Sequence, residues 1–312
     1  MDEARLPSAP AWVRLTGSLI RRLPAGRYRA INRICRRPPS AFLMQMPEDL
    51  GGYSFTCDLR DTISREVCFT GRYEPQETAL VRAILRPGMS FVDVGANWGY
   101  FTLLAAHLVG KRGRVVSLEP DPRLYPVLRE NVVRNMLDQV TVLEVAAASG
   151  AGQLTLAGFD ETSGNFGLSR VVNNSGAVGR SFQVRSDSLD HIFDEHKLDS
   201  IDLMKIDIEG AEGFALTGLA NSLLNLRVKR LLLELHPSQL AEHGQSASEV
   251  IKQLQDVDYR AWTIDFSRAA SRRAAYSKRL DAGALLRRLD TKAPLDDWPH
   301  LLWAMPGLEP LS

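Results

Sequence analysis

The sequence predicts an α/β fold, a mostly parallel sheet with helices on both faces, and three stretches carry that prediction. Phe91-Val-Asp-Val-Gly-Ala-Asn-Trp-Gly-Tyr100 reads as a short buried strand that breaks into a glycine turn and opens a helix. Gly113-Arg-Val-Val-Ser-Leu-Glu119 is a second strand. It ends in an acid about twenty residues beyond the turn, the place where such folds grip a ribose diol. Ser200-Ile-Asp-Leu-Met-Lys-Ile-Asp-Ile-Glu-Gly-Ala-Glu212 is a further strand with acids crowded at its carboxyl end, where open α/β sheets bind ligands.

Length and composition set the bounds. The 312 residues, 45% of them hydrophobic, suffice for one large α/β domain with extensions. Net charge is +1, which supplies no global attraction to nucleic acid. Cys35, Cys57 and Cys68 have no metal-ligand spacing. Cys57 and Cys68 face one another if their segments form a hairpin, but sparse usage and an odd count favour reduced thiols and a cytoplasmic setting. No apolar run has the length of a membrane span, and no stretch resembles a cleaved signal.

Taken in order, residues 1–50 are a basic helical extension, with Arg14, Arg21, Arg22, Arg27, Arg29, Arg33, Arg36 and Arg37 set among Trp12, Leu15, Leu19 and Ile20. It reads as a helix packed on the body, interrupted at Pro24 and Gly26, or as a peripheral contact for an anionic partner. Residues 51–72 are a small β element, because Tyr53, Phe55, Cys57 and then Val67, Phe69 alternate as strands do. A helix over Glu74–Leu85 leads into the main domain, 73–312. After the first two core strands, Pro122 starts a helix that runs to Asn135. Val140–Ala146 is the third strand, followed by small residues that let a flat ring lie against backbone. Gln153–Leu156 and Ser181–Val184 are short strands around a glycine-rich lid from Phe159 to Arg180, whose Asn165 and Phe166 reach the ligand. Ser188–His196 is an amphipathic helix begun by Asp187 or Ser188, with His191 and His196 on its surface. Arg230–Pro237 is a core strand ending at His236. Ala247–Val257 is a helix, and Tyr259–Asp265 and His300–Pro306 are strands on either side of a basic insertion, Arg268–Asp290, placed to line an acidic acceptor's path.

The chemistry follows from the ends of these strands. Gly95 and Gly99 permit a tight turn, and the helix N-terminus that follows suits a carboxylate. With Asp93 beside it, the turn suits a zwitterionic amino-acid group such as the methionyl end of S-adenosylmethionine. A dinucleotide fits less well, since Asn97 stands where the pyrophosphate fingerprint needs its second glycine.

These blocks, with Leu118-Glu-Pro-Asp-Pro122, Asn131, Asn135, Ala146–Gly150 and Leu233-Glu-Leu-His236, resemble the FkbM family of S-adenosylmethionine-dependent methyltransferases over roughly Tyr73–Pro306. The resemblance implies a class I methyltransferase, Rossmann-like, with a seven-stranded mostly parallel sheet closed by an antiparallel hairpin. It implies O-methyl transfer to a hydroxyl of a sugar, glycan or polyketide-type small molecule. The cofactor residues are then Asp93, Gly95, Ala96, Asn97, Gly99, Tyr100, Glu119, Ala146 and Ala147. His236 is the expected general base, with Asp207 or Glu209 orienting it and Lys205 the competing base. No resident metal is assigned. The alternatives are a magnesium-dependent enzyme of catechol type, holding its ion through Asp207, Glu209 and His236, and an NAD-dependent oxidoreductase.

Overall fold

The structure, a computed structural model, describes residues 6–23, 26–35, 40–159, 164–172, 180–277, 279–290 and 297–312. Pro24, Arg36, Arg37, Lys278 and the lid stretches 160–163 and 173–179 lie outside the described residues. In chain order the strands are β1 (Phe42–Gln45), β2 (Ser54–Cys57), β3 (Ser90–Val94), β4 (Arg114–Leu118), β5 (Val140–Leu143), β6 (Ala146–Ala148), β7 (Gly152–Ala157), β8 (Arg170–Val171), β9 (Ser181–Ser188), β10 (Leu203–Ile206), β11 (Arg230–Glu234), β12 (Arg260–Ile264), β13 (Leu286–Arg288) and β14 (His300–Ala304).

The main sheet has the order β13-β12-β14-β11-β10-β3-β4-β5. β5, β4, β3, β10 and β11 run parallel, and β14 is antiparallel to both β11 and β12. The seven expected strands are all present. An eighth, β13, comes from the basic insertion, whose other described parts are the helix Arg268–Tyr276 and a short 3-10 turn. Chain order reverses at β3, which lies between β4 and β10, and such a reversal opens a crevice at the strands' carboxyl ends.

Strand alternation sorts the side chains. Phe91, Leu203, Leu232 and Leu302 face one core, while Val92, Met204, Leu231, Leu233 and Trp303 face the other. By the same period of two, Asp93, Ser117, Lys205, Glu234 and His300 project on the first face. That face is covered by the helices Pro75–Ile84 and Tyr100–Val109, so the polar residues at the strand ends lie under helices and are withdrawn from solvent.

Several local expectations are corrected. Val67 and Phe69 lie in a helix, Thr62–Thr70: Asp61 caps its first turn by accepting from Ser64 N, and Ile63, Val67 and Cys68 share the spacing of one buried face. The partner of β2 is therefore β1, and the small β element begins at Phe42, upstream of residue 51. Cys57 and Cys68 do not face each other across a hairpin, and all three cysteines are free and buried. The third strand is split: β5 ends at Leu143, and Ala146–Ala148 joins a second sheet of order β6-β9-β7-β8. The helix after β4 is Tyr125–Arg134, with Pro126 in its first turn where the sequence points to Pro122. Asn131 is buried and ties this helix to two neighbours. Its Oδ1 accepts from Thr56 N at 3.0 Å, and its Nδ2 donates to the carbonyl of Trp98 in the glycine turn at 3.0 Å.

Candidate active site

Backbone contacts hold the start of the glycine turn. Gly95 N and Ala96 N both donate to Leu118 O. Gly95 has φ 86°, and a Cβ there would overlap the carbonyl oxygen of Asp207. Only glycine fits where the ends of β3 and β10 come this close. Gly99, also at positive φ, serves packing instead. A Cβ there would run into Leu128, so its absence lets the helices Tyr100–Val109 and Tyr125–Arg134 approach each other. Gly99 lines neither cavity described below.

Glu119 is 5% exposed and receives two backbone N–H groups, Asn97 N on Oε2 at 2.7 Å and Asp121 N on Oε1 at 2.8 Å. Burial raises its pKa to about 8, against those two hydrogen bonds, which pull it down. Asp93 is 2% exposed and accepts from Thr102 Oγ1 at 2.6 Å. Burial lifts its pKa to about 6 despite that bond.

Two adjoining cavities open here, sharing Gly95, Asn97, Gly167, Asp207 and Glu209 as a common wall. The first is bounded by Glu119, Ala146, Ala147 and Leu156. A flat ring suits the small apolar residues at one end and a ribose the carboxylate of Glu119 beside them. The second is bounded by Asp93, Ala96, Tyr100, Phe101, Lys205 and Asn165. Asn97, at φ 51°, offers its Oδ1 to Trp98 N, which keeps the turn compact. Of the two lid candidates, Asn165 lines the second cavity. Phe166 instead stacks on Phe159 at 4.4 Å and on Trp98 at 6.2 Å, and its N–H is held by Asp61 Oδ1.

Beyond the shared wall lies a buried cluster of charge. Lys205 Nζ sits 2.9 Å from Asp207, 3.5 Å from Glu77 and 3.8 Å from Glu74, and 4.9 Å above the ring of Phe101. Burial favours the neutral amine, but Asp207, Glu77 and Glu74 outweigh it and hold the lysine pKa well above its usual value. That shift favours the ammonium and opposes a role for Lys205 as a base. Desolvation opposes ionisation of Glu77, but Lys205 and His300 bring its pKa down to about 2. Asp207 is likewise lowered, with Lys205 and His236 overcoming burial.

His236 lies two residues past the end of β11, before the helix Pro237–Glu242. Its Nδ1 meets Glu212 Oε1 at 2.8 Å. Its Nε2 faces Glu234 at 3.5 Å, Glu209 at 3.6 Å and Asp207 at 4.0 Å. Burial would discharge the imidazole, but these carboxylates raise its pKa to about 11. An imidazolium has no lone pair for a substrate proton, and His236 lines neither cavity. The expected base is thus a fixed cation in this arrangement. Glu209, which lines both cavities, has its pKa raised by burial to about 7 even with His236 pulling it down.

Glu74, Glu77, Glu234 and His300 complete the cluster, and sequence reasoning assigns them no role. His300 Nδ1 meets Glu77 Oε1 at 2.8 Å, and its ring stacks on Phe266 at 3.7 Å. One signal is present in the sequence: on the helix Pro75–Ile84, Glu77 shares a face with Leu80, Val81 and Ile84, an acid on an apolar stripe. His300 and Glu234 carry none, because their pairing depends on the β11–β14 register.

A family model described as the methyltransferase FkbM domain matches residues 93–261. Methyltransferase sdnD of Sordaria araneosa is 31% identical over 154 residues, 41% of this chain and 59% of its own length. The 31-O-demethyl-FK506 methyltransferase FkbM of Streptomyces tacrolimicus is 27% identical over 176 residues, 49% of this chain and 67% of that protein. The chain thus spans less than two thirds of sdnD. The crystal structure of methyltransferase FkbM from Methylobacillus flagellatus KT shares 17% identity at a TM-score of 0.42, covering 77% of this chain and 52% of that one. The oxidoreductase alternative falls with the family match, which takes in the whole glycine turn, the ribose-side acid and the acids after β10. The chain belongs to the FkbM family of S-adenosylmethionine-dependent methyltransferases.

Proposed function

We propose that the chain transfers a methyl group to a hydroxyl oxygen of a sugar, glycan or polyketide-type acceptor, with Glu209 taking the hydroxyl proton. One observation carries this reading: Glu209 stands in the wall common to both cavities with its pKa raised to about 7. A base is most effective when its pKa lies near the working pH. When bound, S-adenosylmethionine supplies a methyl group on a positively charged sulfur, and the products are an ether and S-adenosylhomocysteine. Glu119 would hold the ribose hydroxyls, and Ala146 and Ala147 would flank the ring. Asp93 and the turn Gly95–Asn97 would hold the amino-acid end. Lys205 and His236 act as fixed cations: Lys205 neutralises Asp207, and His236 limits how far burial raises Glu209. Most of the remaining work is alignment of oxygen, carbon and sulfur. Three free cysteines fit a reducing, cytoplasmic setting, and among the described residues no helix is long and apolar enough to cross a membrane.

Calorimetry with S-adenosylhomocysteine, followed by a pH profile of methyl transfer to a panel of hydroxylated acceptors, tests the reading. Binding together with a rate that rises through a midpoint near 7 is expected. Binding with a rate indifferent to pH over that range would remove Glu209 from the role.

A second reading, dependence on a divalent cation, is favoured by the donor atoms of Asp207, Glu234 and His236, which lie within 4.8 Å of one another. Glu212 on Nδ1 would direct the other nitrogen of His236 toward an ion, an arrangement usual for metal-binding histidines. Loss of transfer on chelation, restored by magnesium, supports it; full activity in chelator excludes it.

A further inference from the structure

The N-terminal segment has a surface that catalysis does not use. From Leu6 to Ser40 the sequence contains eight arginines and no aspartate or glutamate, in a chain whose net charge is +1. The helix Ala11–Arg22 is apolar on two opposite sides. Val13, Gly17 and Ile20 are buried and pack toward the helix Thr62–Thr70, and Arg21 Nη1 donates to Cys68 O at 3.3 Å. That side fixes the helix to the body.

The other side has no cover among the described residues. Trp12, Leu15 and Leu19, with Leu23 just beyond the helix, follow the spacing of one stripe and are exposed by 40%, 67%, 63% and 37%. Arg14 and Arg22 rise from the same helix, and Arg29 and Arg33 from the next one, Arg27–Ile34. All four are exposed, and their side chains make no hydrogen bond or ion pair among the described residues. A helix that has already seated one apolar face gains nothing in folding from a second, and a contiguous exposed apolar stripe marks a contact surface. Its acid-free rim selects the partner. A second copy of this chain would bring arginine against arginine, whereas an anionic bilayer offers both an apolar layer and negative charge, with tryptophan suited to the boundary.

We propose that the helix Ala11–Arg22 seats the protein on an anionic lipid surface, with Trp12, Leu15 and Leu19 entering the headgroup boundary and Arg14, Arg22, Arg29 and Arg33 meeting lipid phosphates. Contacts link the seat to the site. The helix Thr62–Thr70, on which the arm rests, contributes Ile63 to the second cavity, and its first residue, Thr62, donates its backbone N–H to Gly164 of the lid at 2.8 Å. The inference does not depend on the acceptor or on the base proposed above.

The test is sedimentation of the full chain with vesicles of phosphatidylcholine alone or with about 30 mol% phosphatidylglycerol. Leu15→Ser/Leu19→Ser and Arg14→Glu/Arg22→Glu are compared with wild type, and S-adenosylhomocysteine binding serves as the folding control. Association with the anionic vesicles at least about tenfold above the neutral ones, lost in both double variants while cofactor binding is kept, is expected. Equal sedimentation with both vesicles, none with either, or binding that survives Leu15→Ser/Leu19→Ser overturns it. So does a dimer in analytical ultracentrifugation that the leucine substitutions abolish, which would assign the stripe to a second copy of the chain.

Discussion

Two acidic regions sit at the carboxyl ends of the same sheet and are stabilised in different ways. At β3 and β4, Asp93 and Glu119 are held by a hydroxyl and by backbone N–H groups, and both have raised pKa values. At β10 and β11, Asp207, Glu209, Glu212 and Glu234 surround buried cations, and Asp207 stays ionised. Hydrogen bonds leave Asp93 and Glu119 with raised pKa values, whereas Lys205 at 2.9 Å, with His236, holds Asp207 ionised; a cation at 3.6–3.8 Å does not offset burial for Glu209 or Glu74, whose pKa values stay raised. The first region is therefore suited to hydrogen-bond a polar ligand, while in the second buried cations hold Asp207 ionised beside Glu209, whose pKa burial raises to about 7.

The largest effect expected from breaking this contrast is on Glu209. Glu209→Gln lowers kcat about 10²- to 10⁴-fold, the range for loss of a general base, and changes S-adenosylhomocysteine affinity far less. Because the base must be deprotonated, wild-type activity rises with pH through about 7, and that limb disappears in the variant. Lys205→Met comes next. It takes the larger cationic partner from half-buried Asp207 and buried Glu77, leaving only His236 and His300 beside them, and costs up to roughly 3–5 kcal/mol in urea unfolding, part of which Glu77→Gln restores in the double variant. An unaltered midpoint would mean that solvent, and not Lys205, balances these acids.

On the other side of the comparison, Glu119→Ala removes an acceptor from Asn97 N and Asp121 N and from the ligand. It weakens S-adenosylhomocysteine binding by about 1–3 kcal/mol in calorimetry. The last effect is a slope with pH. The folded pKa of His236 is raised from 6.5 to about 11, so its contribution to stability is complete below 6.5 and is lost as pH rises through about 11. Unfolding free energy should decline over that window, and His236→Gln should flatten the decline.

The first region is largely legible in the sequence and the second is not. Asp93, Gly95, Asn97 and Glu119 belong to two strand–turn segments whose geometry is local, and they meet where their spacing places them. The packing role of Gly99 is not legible, because a glycine in a turn looks the same whether a ligand or Leu128 lies against it. Val67 and Phe69 mislead because two apolar residues separated by one fit a strand as well as a helix, and Asp61 as a cap decides between them. His236 stands out in the sequence but its charge does not, since one histidine among distant acids has no neighbours until the chain folds.

The sequence by itself determined the α/β class, the central strands, the glycine turn and the acids that end those strands, because each follows from hydrophobic period and local turn chemistry. Tertiary structure alone decided which groups share a proton field. Glu74 and Glu77 come from a helix and its cap before the sheet, Lys205 from β10, Glu234 from β11 and His300 from β14. Their charge states depend on burial and on distances of 3–4 Å between elements far apart in the chain, quantities that residue order does not contain.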